Sequence, residues 1–289
     1  MKTLLKTVVA AVISAMLMTP LSWAVELEEM ELFFELNDTD GDLGIHGKFD
    51  GEEWKVLKIL TSDDDVLLDL SIYNNLQEQG LTELFFESAE PTFDDLDPMD
   101  FFNRFPEGTY IVEGMTLGGA MIEGEVDLSH VIPAAPADIM LSYEVPCHSG
   151  NGMGPHDKHE CDETIEMPPA EFDAEDELVC VELEGLAEEE VTISWGEVMS
   201  SHATLGIAGD VNPVYYEVVI ETEVGEDDDE LEIDSSTLLP PDVTEFEFPE
   251  EYFELAEEFK FEILVRDENG NKSATEGCFE IISEDDEDE

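Results

Sequence analysis

Apolar residues recur at about every second position through most of this chain. "FKFEILVRD" (259–267) and "VTISWGEV" (191–198) show the pattern clearly, and "VYYEVVIE" (214–221) and "LEEMELFFEL" (27–36) are strand-like in the same way. A period of two puts one row of side chains in a core and the other in water, so the chain must build sheets. The polar row is almost entirely acidic: 76 Asp and Glu stand against 10 Lys and Arg, a formal net charge of −66. High acidity with few apolar residues gives disorder. Here 42% of the residues are hydrophobic and 9% aromatic, so a folded core is available and the charge must cover its surface.

That surface excludes some partners. Phosphate binding needs Lys and Arg, so nucleic acids and anionic membranes are ruled out as ligands. Self-repulsion of this size is relieved by counterions, which points to a saline setting; a cationic partner is the other reading.

The first residues, "MKTLLKTVVAAVISAMLMTPLSWA", combine Lys, an apolar run and a small-residue end. They read as a secretory signal peptide cleaved after Ala24, and the apolar run is too short for a bilayer span. The expected location is therefore secreted or periplasmic, with no membrane insertion.

The remaining length suggests two domains. Pro133 and Pro136 punctuate the small residues of "HVIPAAPAD" (130–138) and mark the expected boundary. The division is then 25–132, 133–283 with an insertion at about 146–185, and an acidic tail at 284–289. In the first domain, "WKVLKIL" and "VLLDLSIY" read as strands flanking the turn "TSDDD". "TYIVEGMTLGGAMIEGEVDLSH" reads as a hairpin turning near Gly118 and Gly119. One short helix is expected at "DPMDFFNRFPEG", with Asp97 as cap, Pro98 at its first position, and Pro106 and Gly108 ending it. Phe101, Phe102 and Phe105 would pin that helix to the sheet. The fold class expected is all-β, with two antiparallel sandwiches.

In the second half, Trp195 sits on an alternating strand. Leu255, Phe261, Ile263 and Val265 then lead into the turn "DENGNKS", with Asp267, Gly270, Asn271 and Ser273. This arrangement resembles a fibronectin type III domain over about 190–283, with the first strand near "PADIMLSY". The resemblance implies a two-sheet sandwich used for binding and spacing. It departs at Phe261, where the family's corner Tyr would carry a hydroxyl. The first half is similar to secreted bacterial proteins that pair an "LFFELNDTDGD" block with a fibronectin-type module.

Four Cys in a secreted chain argue for disulfides. Three pairings are open. Cys147–Cys161 is favoured because it closes the short loop "CHSGNGMGPHDKHEC", which leaves Cys180–Cys278. The same loop holds His148, His156 and His159, so zinc is the alternative there, although the spacing matches no strong zinc module.

Asp38, Asp40 and Asp42 alternate in "NDTDGDLG". The triplet carries little weight in a chain this acidic. Its interleaving with Gly41 and Gly44 carries more, as does the second acidic cluster at Asp50, Glu52 and Glu53, because calcium takes six to eight oxygens from a backbone free to wrap it. The pattern is not an EF-hand: Leu43 stands where that loop needs Gly, and Phe49 where it needs Glu. It resembles the Asp-rich loops of thrombospondin-type or dockerin-type modules. The expected calcium ligands are Asp38, Asp40, Asp42 and the Gly44 carbonyl, closed by Asp50 or Glu53, in a structural role. His46 is a bystander, since nitrogen suits calcium poorly.

No G-x-S-x-G elbow, H-E-x-x-H helix, phosphate-binding glycine loop or C-x-x-C pair occurs. The functional expectation is a noncatalytic binding, adhesion or scaffolding protein whose partner is an extracellular protein or glycan. The rival is a secreted carbohydrate-active or other hydrolase working through a carboxylate pair that the sequence does not locate.

Overall fold

β1 (Glu29–Asn37) turns through Gly41 into β2 (Asp42–Leu60), and the two pair antiparallel from Glu29↔Asp50 to Asn37↔Asp42. The computed structural model describes residues 24–61, 63–146, 160–167, 172, 178–184, 190–225, 231–253 and 255–282. Residues 1–23 of the expected signal peptide, Cys147 and the His148–His159 stretch lie outside them, as does the side chain of Cys161. The Cys147–Cys161 and zinc expectations therefore fall outside the described residues.

β2 is 19 residues long and serves two sets of partners. Its first part pairs with β1 on one edge and with β4 (Leu81–Glu87) on the other. Its last part pairs with β3 (Val66–Ser71) and β5 (Gly108–Thr116). The register shifts between Asp50 and Val56, which is where a long strand has to bend to change partners. β6 (Met121–Leu128) continues from β5, and Val25 bridges back to Ile122. Inside lie Leu32, Phe34 and Leu36 of β1, packed with Phe49, Trp54 and Leu57 of β2. α1 (Asn74–Gln79) is a short helix the periodicity did not signal. α2 (Pro98–Arg104) is the expected helix: Asp97 Oδ1 accepts from Met99 N at 2.8 Å, and Phe101 and Phe102 are buried against Phe34.

The second half is a two-sheet sandwich. β7 (Met140–Pro146), β8 (Glu160–Glu166), β10 (Val191–Ser194) and β13 (Glu245–Glu247) form one sheet in the order β13-β10-β7-β8, with β9 (Val181–Glu184) lying between β8 and β10 in the chain. The facing layer is β12 (Leu231–Leu239), β11 (Pro213–Val224), β14 (Glu258–Asp267) and β15 (Lys272–Ile282), with β9 parallel to β15. α3 (Glu250–Phe253) connects β13 to β14. Trp195 points inward as expected and meets Tyr216 edge-on at 5.4 Å. Phe261 is buried, and the hydroxyl lost at that position has a counterpart elsewhere: Tyr216 OH accepts from Val198 N at 2.9 Å. Leu255 does not join the core and is 45% exposed. Cys180 and Cys278 are bonded, with Cα atoms 4.6 Å apart.

The protein is thus mostly β, and the sandwich expected in its second half is present. The two halves also share a sheet. β1 lies beside β15, parallel to it, with Glu35↔Lys272, Leu36↔Ser273 and Asn37↔Ala274 in register. A continuous path runs β12-β11-β14-β15-β1-β2-β5-β6. β1 thereby covers part of a β15 edge that would otherwise offer unpaired backbone groups to another chain.

Candidate functional site at the seam between the halves

Asn37 is the hub where β1 ends. Its Oδ1 accepts from Thr39 N at 3.0 Å and Asp40 N at 3.3 Å, which fixes the amide with its NH2 facing the other half. That NH2 donates to Glu276 Oε1 at 2.5 Å and to Asp40 Oδ2 at 3.3 Å. Glu276 N donates to Thr39 Oγ1, and Asp38 N to the Ala274 carbonyl. Gly41, at φ +67°, makes the turn that a side chain would strain.

The "DENGNKS" turn and the start of β15 tie the other side. Asn271, fully buried, accepts from Phe34 N at 2.8 Å and donates to the carbonyls of Ser129 and Val131. Asn269 also donates to Val131 O. Ser273 Oγ donates to Pro133 O at 2.7 Å, and Thr275 Oγ1 to Pro136 O at 2.6 Å. The proline-marked segment 130–138 is a strap whose carbonyls at Val131, Pro133 and Pro136 are used by side chains from 269–275.

On the outer face, two of the scarce cations are placed at this seam. Arg266 reaches Glu31 at 2.7 Å, and Lys272 reaches Glu35 at 3.1 Å and Glu217 at 3.6 Å. Both cations lie over the Phe33 ring, at 5.1 and 5.6 Å. Phe33 stacks on His46, which meets Glu90 at 2.9 Å.

Acids outnumber these cations, and their proton affinities respond. Burial pushes the Glu262 carboxyl up to about 8, helped by Glu35 and Glu276. Burial and Asp40 push Glu276 up to about 7, against the Asn37 hydrogen bond. Burial, Glu90 and Asp40 take Asp42 up to about 6. Burial pulls Lys272 down, but Glu35 and Glu217 more than offset it, and its ammonium ends above the usual range. A cavity of about 340 Å³ opens beside the seam, bordered by Asp38, Thr39, Pro136, Phe261 and Glu276.

The expected calcium ligands are only partly brought together. Asp38 and Asp40 occupy the turn, Asp42 opens β2, and Gly44 lies in the ladder opposite Glu35. Asp50 pairs with Glu29 at the far end of that ladder, about 26 Å along an extended strand from Asp42. Glu53 lies beyond it, against Gly80. Neither closes over the turn, because the residues between them are strand and not loop. Asp38 Oδ1 is instead met by His202 Nε2 at 3.1 Å. Asp42 Oδ1 is buried without a hydrogen-bond partner, a position a cation would satisfy. Still, no three His, Cys, Asp or Glu side chains among the described residues converge as they stand to hold a metal ion. Glu35, Glu90, Glu262 and Glu276 surround this region instead. Nothing in the local spacing announces them, since Glu276 lies 239 residues from Asn37.

No family model matches the chain, and no curated protein matches it in sequence. Among solved structures, the FN1-FN3 domains of chicken CNTN1 align over 89% of this chain and 68% of theirs, at 7% identity and a TM-score of 0.30. A 1.5-MDa bacterial ice-binding adhesin aligns over 90% of this chain and 66% of its own, at 11% identity and a TM-score of 0.22. A tetra-tandem repeat from the extending region of a large adhesion protein aligns over 87% and 74%, at 11% identity and a TM-score of 0.16. These superpositions are loose, and the sandwich description above rests on strand order and register.

Proposed function

We propose that this chain is a noncatalytic extracellular protein that binds a protein or glycan partner and holds it at a distance. The observation that carries this reading is the use made of the polar side chains where the halves meet. Asn37, Asn269, Asn271, Ser273 and Thr275 spend their hydrogen bonds on joining β1, the strap and β15. Such chemistry sets a fixed spacing. The second half's sandwich suits the same role, though fold alone argues function weakly. The Cys180–Cys278 bond fits an oxidising compartment. Among the described residues no helix is long and apolar enough to cross a membrane.

Calcium belongs to this reading as a structural ion at the β1–β2 turn. Asp38, Asp40 and Asp42 would hold it with the Gly44 carbonyl, and it would offset both the burial of Asp42 and the repulsion from Glu90 and Asp40 that raise its carboxyl. Asp50 and Glu53 are too far along β2 to take part.

Purified protein applied to glycan arrays and to immobilised extracellular proteins tests the function. Saturable binding without turnover is expected. Hydrolysis of a glycan that Glu262→Gln abolishes would contradict it. For calcium, titration calorimetry should give binding heat that Asp42→Asn removes, and identical heats would reject the site.

A further inference from the structure

β15 is paired along one edge by two strands in tandem, both parallel to it: β1 at Lys272–Ala274 and β9 at Phe279–Ile282. The described chain reaches β1 from Val25 and leaves β15 at Ile282. Because β1 and β15 run the same way, tension entering before β1 and leaving after β15 draws the two strands past each other along their own axes. Bonds that cross the seam then share the load. A pull across the strands would open them one at a time. While the seam holds, tension passes from β1 straight to β15, and the segment between Asp38 and Asn271 bears little of it.

The seam is also reinforced beyond its three register pairs. Phe34 N–Asn271, Asn37–Glu276 and Glu276 N–Thr39 cross it as hydrogen bonds. Glu31–Arg266 and Glu35–Lys272 cross it as ion pairs, with the cations only 15% and 16% exposed. In a chain with 10 Lys and Arg, two of them are committed to this one junction.

We propose that the β1–β15 seam is a shear clamp, and that the chain is a load-bearing spacer whose tension is held there before either half unravels. The existence of a load rests on the binding-and-spacing role above. The clamp rests on strand direction and the bonds across it.

Optical-trap stretching of the full chain between handles at its two ends tests this. With the Cys180–Cys278 bond reduced, so that both halves can extend, the wild type should show a first rupture at the highest force, followed by unravelling of the halves at lower forces. Glu31→Gln with Glu35→Gln should lower the first force and leave the later ones in place. An unchanged first force in the double variant would overturn the clamp, as would a wild type whose halves unravel one after the other with no higher first event. If the double variant does not fold, the order of forces in the wild type decides alone. Protein that binds no partner yet shows the high first rupture keeps the clamp and loses the proposed function, and the reverse result separates them the other way.

Discussion

The Asn271 side chain makes three hydrogen bonds from a fully buried position, to Phe34 N and to the carbonyls of Ser129 and Val131. Replacing it with Ala would leave Phe34 N–H and the Ser129 carbonyl short of partners, while Val131 O keeps Asn269, and each group left unsatisfied costs about 1–3 kcal/mol. Asn271→Ala should therefore destabilise by at least about 2 kcal/mol, read as a lower urea midpoint. Glu262 makes the second prediction. Its folded-state affinity for the proton, at about 8, lies above the ordinary 4.5. The native state therefore holds the proton more tightly, so the stability this group contributes is full below the ordinary value. It is lost as pH rises through about 8. Glu276, at about 7, adds in the same direction. Urea midpoints should fall from pH 5 to pH 8 (an approximate window), and Glu262→Gln should flatten that fall. A midpoint that rises over this range would reject the assignment.

Elements were legible where their signals are local. Asp97, Pro98 and the Phe pair announced α2, and the structure gives the cap and the burial those residues imply. Asp97→Ala should cost about 1 kcal/mol, as loss of an N-cap does, measured by chemical denaturation. Alternation announced β14 and β11, and the inward Trp195 followed from it. The Cys180–Cys278 bond was reached by pairing the other two Cys across the shorter loop. α1 was not legible, because it has no buried residue and so no apolar stripe to read. A calcium loop closed by Asp50 or Glu53 needs coil between its ligands, whereas β2 begins at Asp42 and continues as strand past Asp50. Acidic spacing cannot distinguish a coil from a strand in a chain with 76 Asp and Glu spread along it. The seam was illegible for a different reason. Asn37 and Glu276, or Phe34 and Asn271, stand more than 230 residues apart, and no periodicity links them.

For the whole molecule, charge and connection decide behaviour. A formal charge of −66 opposes compaction, and ions screen that repulsion with a range of about 10 Å at 0.1 M salt. The melting temperature should rise between dilute buffer and molar salt, and equal values would remove screening from the account. The shared sheet makes a stronger claim. Two sandwiches joined by a loose linker would unfold separately, but here β1 and the segment 129–136 are held by side chains from 269–276. Differential scanning calorimetry of the full chain tests that connection most directly. One cooperative transition is expected, with calorimetric and van't Hoff enthalpies in agreement, splitting into two in Asn271→Ala. Two well-separated transitions in the unaltered protein would contradict it.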